Sequence, residues 1–118
     1  MEYVFVCNYG ENRSPVAAER ARKIALERNL DLKTSFMALY PADSKQAEID
    51  KERITRADKV FVMEPGMLEV LETRYKVKRK DVVCLDVPDE YNCHGLAGPK
   101  MREMLERVLE KKLDSWIS

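Results

Sequence analysis

A cysteine and an arginine near the start of the sequence are separated by five residues, in the stretch CNYGENRSP. Cys7 ends a short apolar, β-branched run over 2–6. Arg13, Ser14 and Pro15 open a segment with helical periodicity. A loop that joins a strand end to a helix N-terminus collects backbone N–H groups that point one way, and these bind anions and favour a cysteine thiolate. The spacing therefore predicts a nucleophilic cysteine inside an anion-binding loop.

The residue types in this loop suit phosphoryl chemistry. Arg13 can grip two phosphoryl oxygens with its planar guanidinium group. Ser14 can donate a hydrogen bond to the Cys7 sulfur and ease its departure in a second step, or it can serve as a helix N-cap. Gly10 lets the backbone turn freely in the middle of the loop. The predicted phosphate-binding residues are those of the loop itself: Asn8, Tyr9, Gly10, Glu11, Asn12 and Arg13.

Such chemistry also needs a general acid. A thiolate that attacks phosphorus expels an alkoxide or phenoxide, and this group leaves much faster when an acid protonates it. The segment LDVPDEYNCHG, around the end of the fourth predicted strand, offers two carboxylates. Asp89 follows Pro88 in the loop, whereas Asp86 lies on the predicted strand itself. Asp89 is therefore the first choice for the acid and Asp86 the second, although Asp89 also suits a simple turn.

Predicted strands and helices alternate along the chain. Short apolar runs predict strands over 2–6, 32–39, 57–63 and 81–87. Helices are predicted over 14–28, 46–55, 65–75 and 97–116. Continuously apolar strands are typical of a parallel sheet covered on both faces by right-handed crossovers. We predict a single α/β domain over 1–118, with a doubly wound sheet of four parallel strands in the flavodoxin-like order 2-1-3-4 and helices on both faces.

Charge and composition argue against several classes of partner. The sequence has 21 basic and 21 acidic residues, so no global field attracts nucleic acid or a membrane surface. No apolar run approaches the length of a membrane span, and no basic leader precedes the first apolar run. Three cysteines without metal-ligand spacing predict no metal site. These features favour a soluble protein in the reducing cytoplasm.

The segment VFVCNYGENRSPVAAE resembles the phosphate-binding loop of the low-molecular-weight protein tyrosine phosphatases: a strand, C-x5-R-S-P, and a helix with a Glu. KVFVME, MLEVL and VPDEY resemble that family's third strand, next helix and acid loop, in the same order. The resemblance implies that Cys7 takes the phosphoryl group, and that Asp89 protonates the leaving oxygen and then activates water. It implies a phosphorylated protein or small aryl phosphate as substrate, without metal or cofactor. Tyr9, Tyr40 and Tyr91 could flank the phenyl ring.

The sequence departs from the family pattern close to the loop. The family commonly has Asn where Gly10 stands, and often a second Cys where Asn12 stands. Glu90 follows the acid in place of Pro. The segment around 38–52 is shorter than in typical members. The chain therefore resembles a shortened, phosphatase-like branch of the family.

Two other functions fit the same loop. An arsenate-reductase-like thiol redox enzyme would need Cys84 and Cys93 as a relay, but Cys84 lies inside a predicted strand. A non-catalytic phosphate- or phosphopeptide-binding module would use the same loop and have no use for Asp89. Glu64 follows the third strand and either faces the site or serves only as a helix-start carboxylate. The basic run at 76–80 precedes the fourth strand and should lie at the opposite end of the sheet.

Overall fold

The computed structural model describes residues 1–8, 12–41 and 43–117, apart from the side chain of Arg79. The strands of its sheet are β1 (Glu2–Cys7), β2 (Lys33–Ala38), β3 (Lys59–Val62) and β4 (Val82–Cys84). Every neighbouring pair is parallel, and the order is β2-β1-β3-β4. The fold class and strand order predicted from the sequence are confirmed.

Helices connect the strands and cover the sheet. They are α1 (Arg13–Glu27), α2 (Ser44–Arg56), α3 (Gly66–Tyr75) and α4 (Gly98–Leu113). Helices α1 and α4 pack against each other on one face, and right-handed crossovers place α2 and α3 on the other face. Within the described ranges, no helix is both long and apolar enough to cross a membrane.

The core lies along the central strands. Phe5 of β1 and Phe61 of β3 are fully buried, with ring centroids 4.8 Å apart. Helix α1 faces the core with mostly small side chains, so its backbone can approach β1 closely. This close packing fixes the start of α1 near the end of β1, where the predicted nucleophile lies. The buried small residues of α1 are Ala17, Ala18, Ala21 and Ala25.

The fourth strand is shorter than the sequence predicts. It ends at Cys84. Two residues later, Asp86 has a backbone φ of 55°, in the left-handed region that residues other than glycine seldom adopt. Backbone bonding to the sheet resumes after this turn, because the Val87 N–H donates to the Met63 carbonyl at 2.7 Å. The placement of Asp86 on a strand was therefore wrong, since the chain bends at this residue.

Candidate active site

Cys7 is the last residue of β1, at the carboxyl end of the sheet. Its side chain is buried, and its Sγ lies 2.9 Å from the Ser14 Oγ. The contact between Ser14 and the sulfur that the sequence predicts is therefore present. The alternative interpretation, in which Ser14 caps the helix, is wrong. Asn12 occupies the N-cap position, and Ser14 is the second residue of α1.

Arg13 is the first residue of α1, and its side chain is only 2% exposed. Its Nη1 donates to Glu64 Oε1 and to the Val87 carbonyl oxygen, the second at 2.8 Å. A guanidinium removed from water needs such acceptors, because an unpaired buried charge is strongly unfavourable. Glu64 and Val87 therefore hold Arg13 in place. Of the two interpretations of Glu64, the structure favours the one in which it faces the site.

Asp89 lies beside the same guanidinium group. Its Oδ1 is 3.9 Å from Arg13 Nε, and its side chain is 60% exposed. Solvent screens a pair of this kind, so it adds little to stability. Asp86 is also exposed but lies at the left-handed turn. Of the two candidate acids, Asp89 is the one that the described part of the chain brings to Arg13.

The start of the predicted phosphate-binding loop is tied to the residues after β2. The Leu39 N–H donates to the Cys7 carbonyl at 2.8 Å, and the Tyr40 N–H donates to the Asn8 carbonyl at 3.3 Å. These bonds extend the pairing of β1 with β2 into the loop. The central residues of the loop lie outside the described residues, so their predicted role in phosphate binding stays a prediction. They are Tyr9, Gly10 and Glu11.

The end of the loop contacts the segment that carries the predicted acid. Asn12 Oδ1 accepts a hydrogen bond from the Cys93 backbone N–H at 3.2 Å. The sequence predicts Asn12 as a phosphate-binding residue and shows that it replaces a family cysteine, but it does not predict this contact. No local pattern connects these two residues, which are 81 positions apart.

The two described tyrosines near the site differ in exposure. Tyr40 is 47% exposed, with the Arg74 guanidinium carbon 5.6 Å from its ring centroid. Tyr91 is buried, and this burial, reinforced by the neighbouring Glu90 carboxylate, raises the pKa of its hydroxyl. That Tyr40 flanks a substrate ring stays a prediction, whereas Tyr91 belongs to the core.

The remaining cysteines are poorly suited to a thiol relay. All three cysteines of the chain are free. Partial burial raises the pKa of the Cys93 thiol, which keeps it in the less reactive protonated form near neutral pH. Cys84 lies on β4. Among the described residues, no group of His, Cys, Asp and Glu side chains could hold a metal ion.

The chain has the fold of the low-molecular-weight protein tyrosine phosphatases. A low-molecular-weight phosphotyrosine phosphatase from Vibrio cholerae superposes with a TM-score of 0.74 at 16% identity, over 98% of this chain and 96% of that one. The YwlE arginine phosphatase from Geobacillus stearothermophilus superposes with a TM-score of 0.68 at 18% identity, over 98% of this chain and 90% of that one. Vibrio vulnificus Wzb, in complex with benzylphosphonate, superposes with a TM-score of 0.65 at 18% identity, over 98% of this chain and 96% of that one. No protein-family model and no curated protein sequence matches the chain.

Proposed function

We propose that this protein is a cysteine-dependent phosphomonoesterase that acts on phosphotyrosine in proteins or on small aryl phosphates, in the cytoplasm. One observation carries the proposal: two contacts converge at the carboxyl end of the sheet, Cys7 with Ser14 and Arg13 with Asp89. A module that only binds phosphate would need the arginine. Such a module would not need the Ser14 hydroxyl within hydrogen-bond distance of the Cys7 sulfur, nor the exposed Asp89 carboxylate beside the Arg13 guanidinium group.

In the first step, the Cys7 thiolate attacks phosphorus. A sulfur–phosphorus bond forms while the bond from phosphorus to the leaving oxygen breaks, and Asp89 gives its proton to that oxygen. Because Nη1 of Arg13 is held by protein acceptors, the edge formed by Nε and Nη2 would face the phosphoryl oxygens. This edge is bidentate and stabilises the charge that develops on them.

In the second step, water attacks the phosphorus of the cysteinyl phosphate. The sulfur–phosphorus bond breaks, and the Asp89 carboxylate takes a proton from the water. The Ser14 hydroxyl, 2.9 Å from Sγ, donates to the sulfur as it regains its negative charge. Inorganic phosphate then leaves, and the thiolate and the protonated acid are restored.

Two substrate classes are open to this mechanism. The exposed ring of Tyr40 after β2 favours an aryl phosphate, and the benzylphosphonate complex of Wzb has a ligand of related chemistry. Phosphoarginine in proteins is the second candidate, since YwlE is an arginine phosphatase. The exposed Glu90 beside Asp89 favours it, because a carboxylate can pair with a guanidinium group.

Hydrolysis of para-nitrophenyl phosphate and of phosphoarginine at mildly acidic pH tests the proposal. We expect the wild type to hydrolyse the aryl phosphate faster, and Cys7→Ser to be inactive. Asp89→Asn should lower kcat for para-nitrophenyl phosphate by about 10²- to 10⁴-fold, the usual contribution of a general acid or base, because hydrolysis of the cysteinyl phosphate loses its base. Asp86→Asn is the matched control and should keep the wild-type rate, because asparagine tolerates the left-handed turn. If the wild type binds inorganic phosphate through Arg13 but hydrolyses neither substrate, the protein is a binding module and the proposal is wrong.

A further inference from the structure

We propose that Asn12 is a positioning residue that holds the acid loop, residues 88–97, against the start of α1. This contact would keep Asp89 at the leaving oxygen of the substrate. The role rests on the proposed function, because it acts through the proton that Asp89 donates.

The Asn12 side chain is used in an unusual way for its position. An asparagine at an N-cap ordinarily accepts a hydrogen bond from an N–H group in the first turn of its own helix. In the described structure, Asn12 makes no such bond to α1. Its Oδ1 accepts from the Cys93 backbone N–H instead. The hydrogen bond therefore joins two distant segments rather than capping the helix.

The Cys93 backbone is also closely packed on its carbonyl side. Gly98 begins α4, and a Cβ added there would lie 2.4 Å from the Cys93 carbonyl oxygen, so only glycine fits. The Gly98 N–H donates to the Gly95 carbonyl at 2.9 Å, which closes the turn between them. Cys93 thus lies between Asn12 on one side and the start of α4 on the other. Cys93 is therefore a fixed point in the acid loop on the C-terminal side of Asp89.

The beginning of the acid loop is anchored by the next residue along the chain, Arg13. Its Nη1 binds the Val87 carbonyl, directly before the loop, at 2.8 Å. Asp89 lies between the Val87 and Cys93 anchors. Two consecutive residues of the phosphate-binding loop therefore hold the chain on both sides of Asp89. This arrangement sets the distance between the phosphate site and the proton donor.

Loss of the Cys93 anchor would leave the segment attached at Val87 and at the buried side chain of Tyr91. Asp89 would then spend less time within reach of the leaving oxygen, while Cys7, Ser14 and Arg13 would keep their places. The defect should appear as sensitivity to the leaving group, because basic phenols need the proton and acidic phenols leave without it. Any loss of phosphate binding would lower the rates for all leaving groups equally, so it would not produce this dependence.

The test measures kcat/KM for a series of aryl phosphates, from acidic to basic leaving phenols, in wild type and three variants. Asn12→Ala removes the anchor. Asn12→Ser is the matched control for capping, because serine caps a helix well but is too short to reach Cys93. Asn12→Asp keeps an acceptor of the same length. We expect Ala and Ser to lose up to about 10²-fold more on the most basic phenol than on the most acidic one. Asp should restore the wild-type dependence.

Three results would overturn the role of Asn12 while leaving the proposed function intact. Equal losses on all leaving groups would mean that Asn12 acts on the nucleophile or on folding. Wild-type leaving-group dependence in Asn12→Ser would mean that helix capping accounts for the residue. Hydrogen exchange at the Cys93 amide that is no faster in Asn12→Ala would mean that the contact does not exist in solution.

Failure of the proposed function would look different. Wild type and variants alike would hydrolyse no member of the series, and the role of Asn12 would then fall with it. If both proposals hold, Asn12→Ala should add no further loss to Asp89→Asn, because the anchor has nothing to act on once the acid is gone.

Discussion

The two ends of the sheet both carry basic side chains but hold them differently. At the carboxyl end, Arg13 is buried and bound by Glu64 and by the Val87 carbonyl. At the amino end, a groove of about 980 Å³ is lined by lysines that include Lys59 and several from the run at 76–80. The run lies at the end opposite the candidate site, as its place before β4 predicts. Its three lysines are exposed: Lys76, Lys78 and Lys80.

The difference shows that the environment of a charge is a better guide to chemistry than the number of charges or the size of a groove. A buried guanidinium must be compensated, so its acceptors hold it in one position. Exposed ammonium groups are already satisfied by water and screened by salt. The groove has more cations than the candidate site, but three of its lysines are exposed, and the fourth, Lys59, has its Nζ 5.0 Å from the centroid of the Trp116 ring.

The largest effect should come from removing the buried cation. Arg13→Ala should lower kcat/KM for para-nitrophenyl phosphate by about 10²- to 10³-fold, because the developing charge on phosphorus loses its positioned donors. Inhibition by inorganic phosphate should disappear with it. Lys78→Ala, a matched change in the groove, should leave both unchanged. Similar losses in the two variants would break the comparison between the ends of the sheet.

A smaller effect is expected from the carboxylate that holds Arg13. Glu64→Gln keeps the side-chain shape and removes its charge. A hydrogen bond to a charged group contributes about 1.5–3 kcal/mol, and the 40% exposure of Glu64 reduces that contribution. We therefore expect a loss of about tenfold in kcat/KM at most. Glu69→Gln, at an exposed carboxylate on α3, should have no effect. Equal kinetics in the two variants would mean that the Val87 carbonyl positions Arg13 without Glu64.

The smallest effect on activity should follow from changing Cys93. Cys93→Ser should keep wild-type turnover, because the bond to Asn12 uses the backbone N–H and not the thiol. Burial raises the pKa of this thiol. Its alkylation by iodoacetamide, followed by mass spectrometry, should therefore accelerate at a higher pH than that of an exposed cysteine. Rapid alkylation at neutral pH would revive the thiol redox alternative.

Local patterns were sufficient to predict the fold and part of the site. Apolar runs mark the strands, and their alternation with helical segments leads to a parallel sheet. The C-x5-R spacing then places Cys7 at a strand end and Arg13 at a helix start. Contacts between distant segments could not be predicted, since they depend on how the elements pack. The partners of Arg13 are 51 and 74 positions away, and Cys93 is 81 from Asn12.

Errors arose where one residue type suits two conformations. Asn12 and Ser14 are both common N-caps, and only the backbone shows that the helix begins after the first of them. Asp86 stands in an apolar run that predicts a strand, yet aspartate also tolerates a left-handed turn. Neither choice can be made from the pattern of residues alone.

The most direct test of the central claim is to trap the phosphoryl group on Cys7. Asp89→Asn should be mixed with para-nitrophenyl phosphate, denatured rapidly and digested for mass spectrometry. Para-nitrophenol leaves without strong help from an acid, whereas hydrolysis of the intermediate needs the missing base, so the intermediate should accumulate. The account predicts a phosphorylated Cys7 peptide and a burst of para-nitrophenol equal to the enzyme concentration. Continued turnover with an unmodified Cys7, or with the phosphoryl group on another residue, would contradict it.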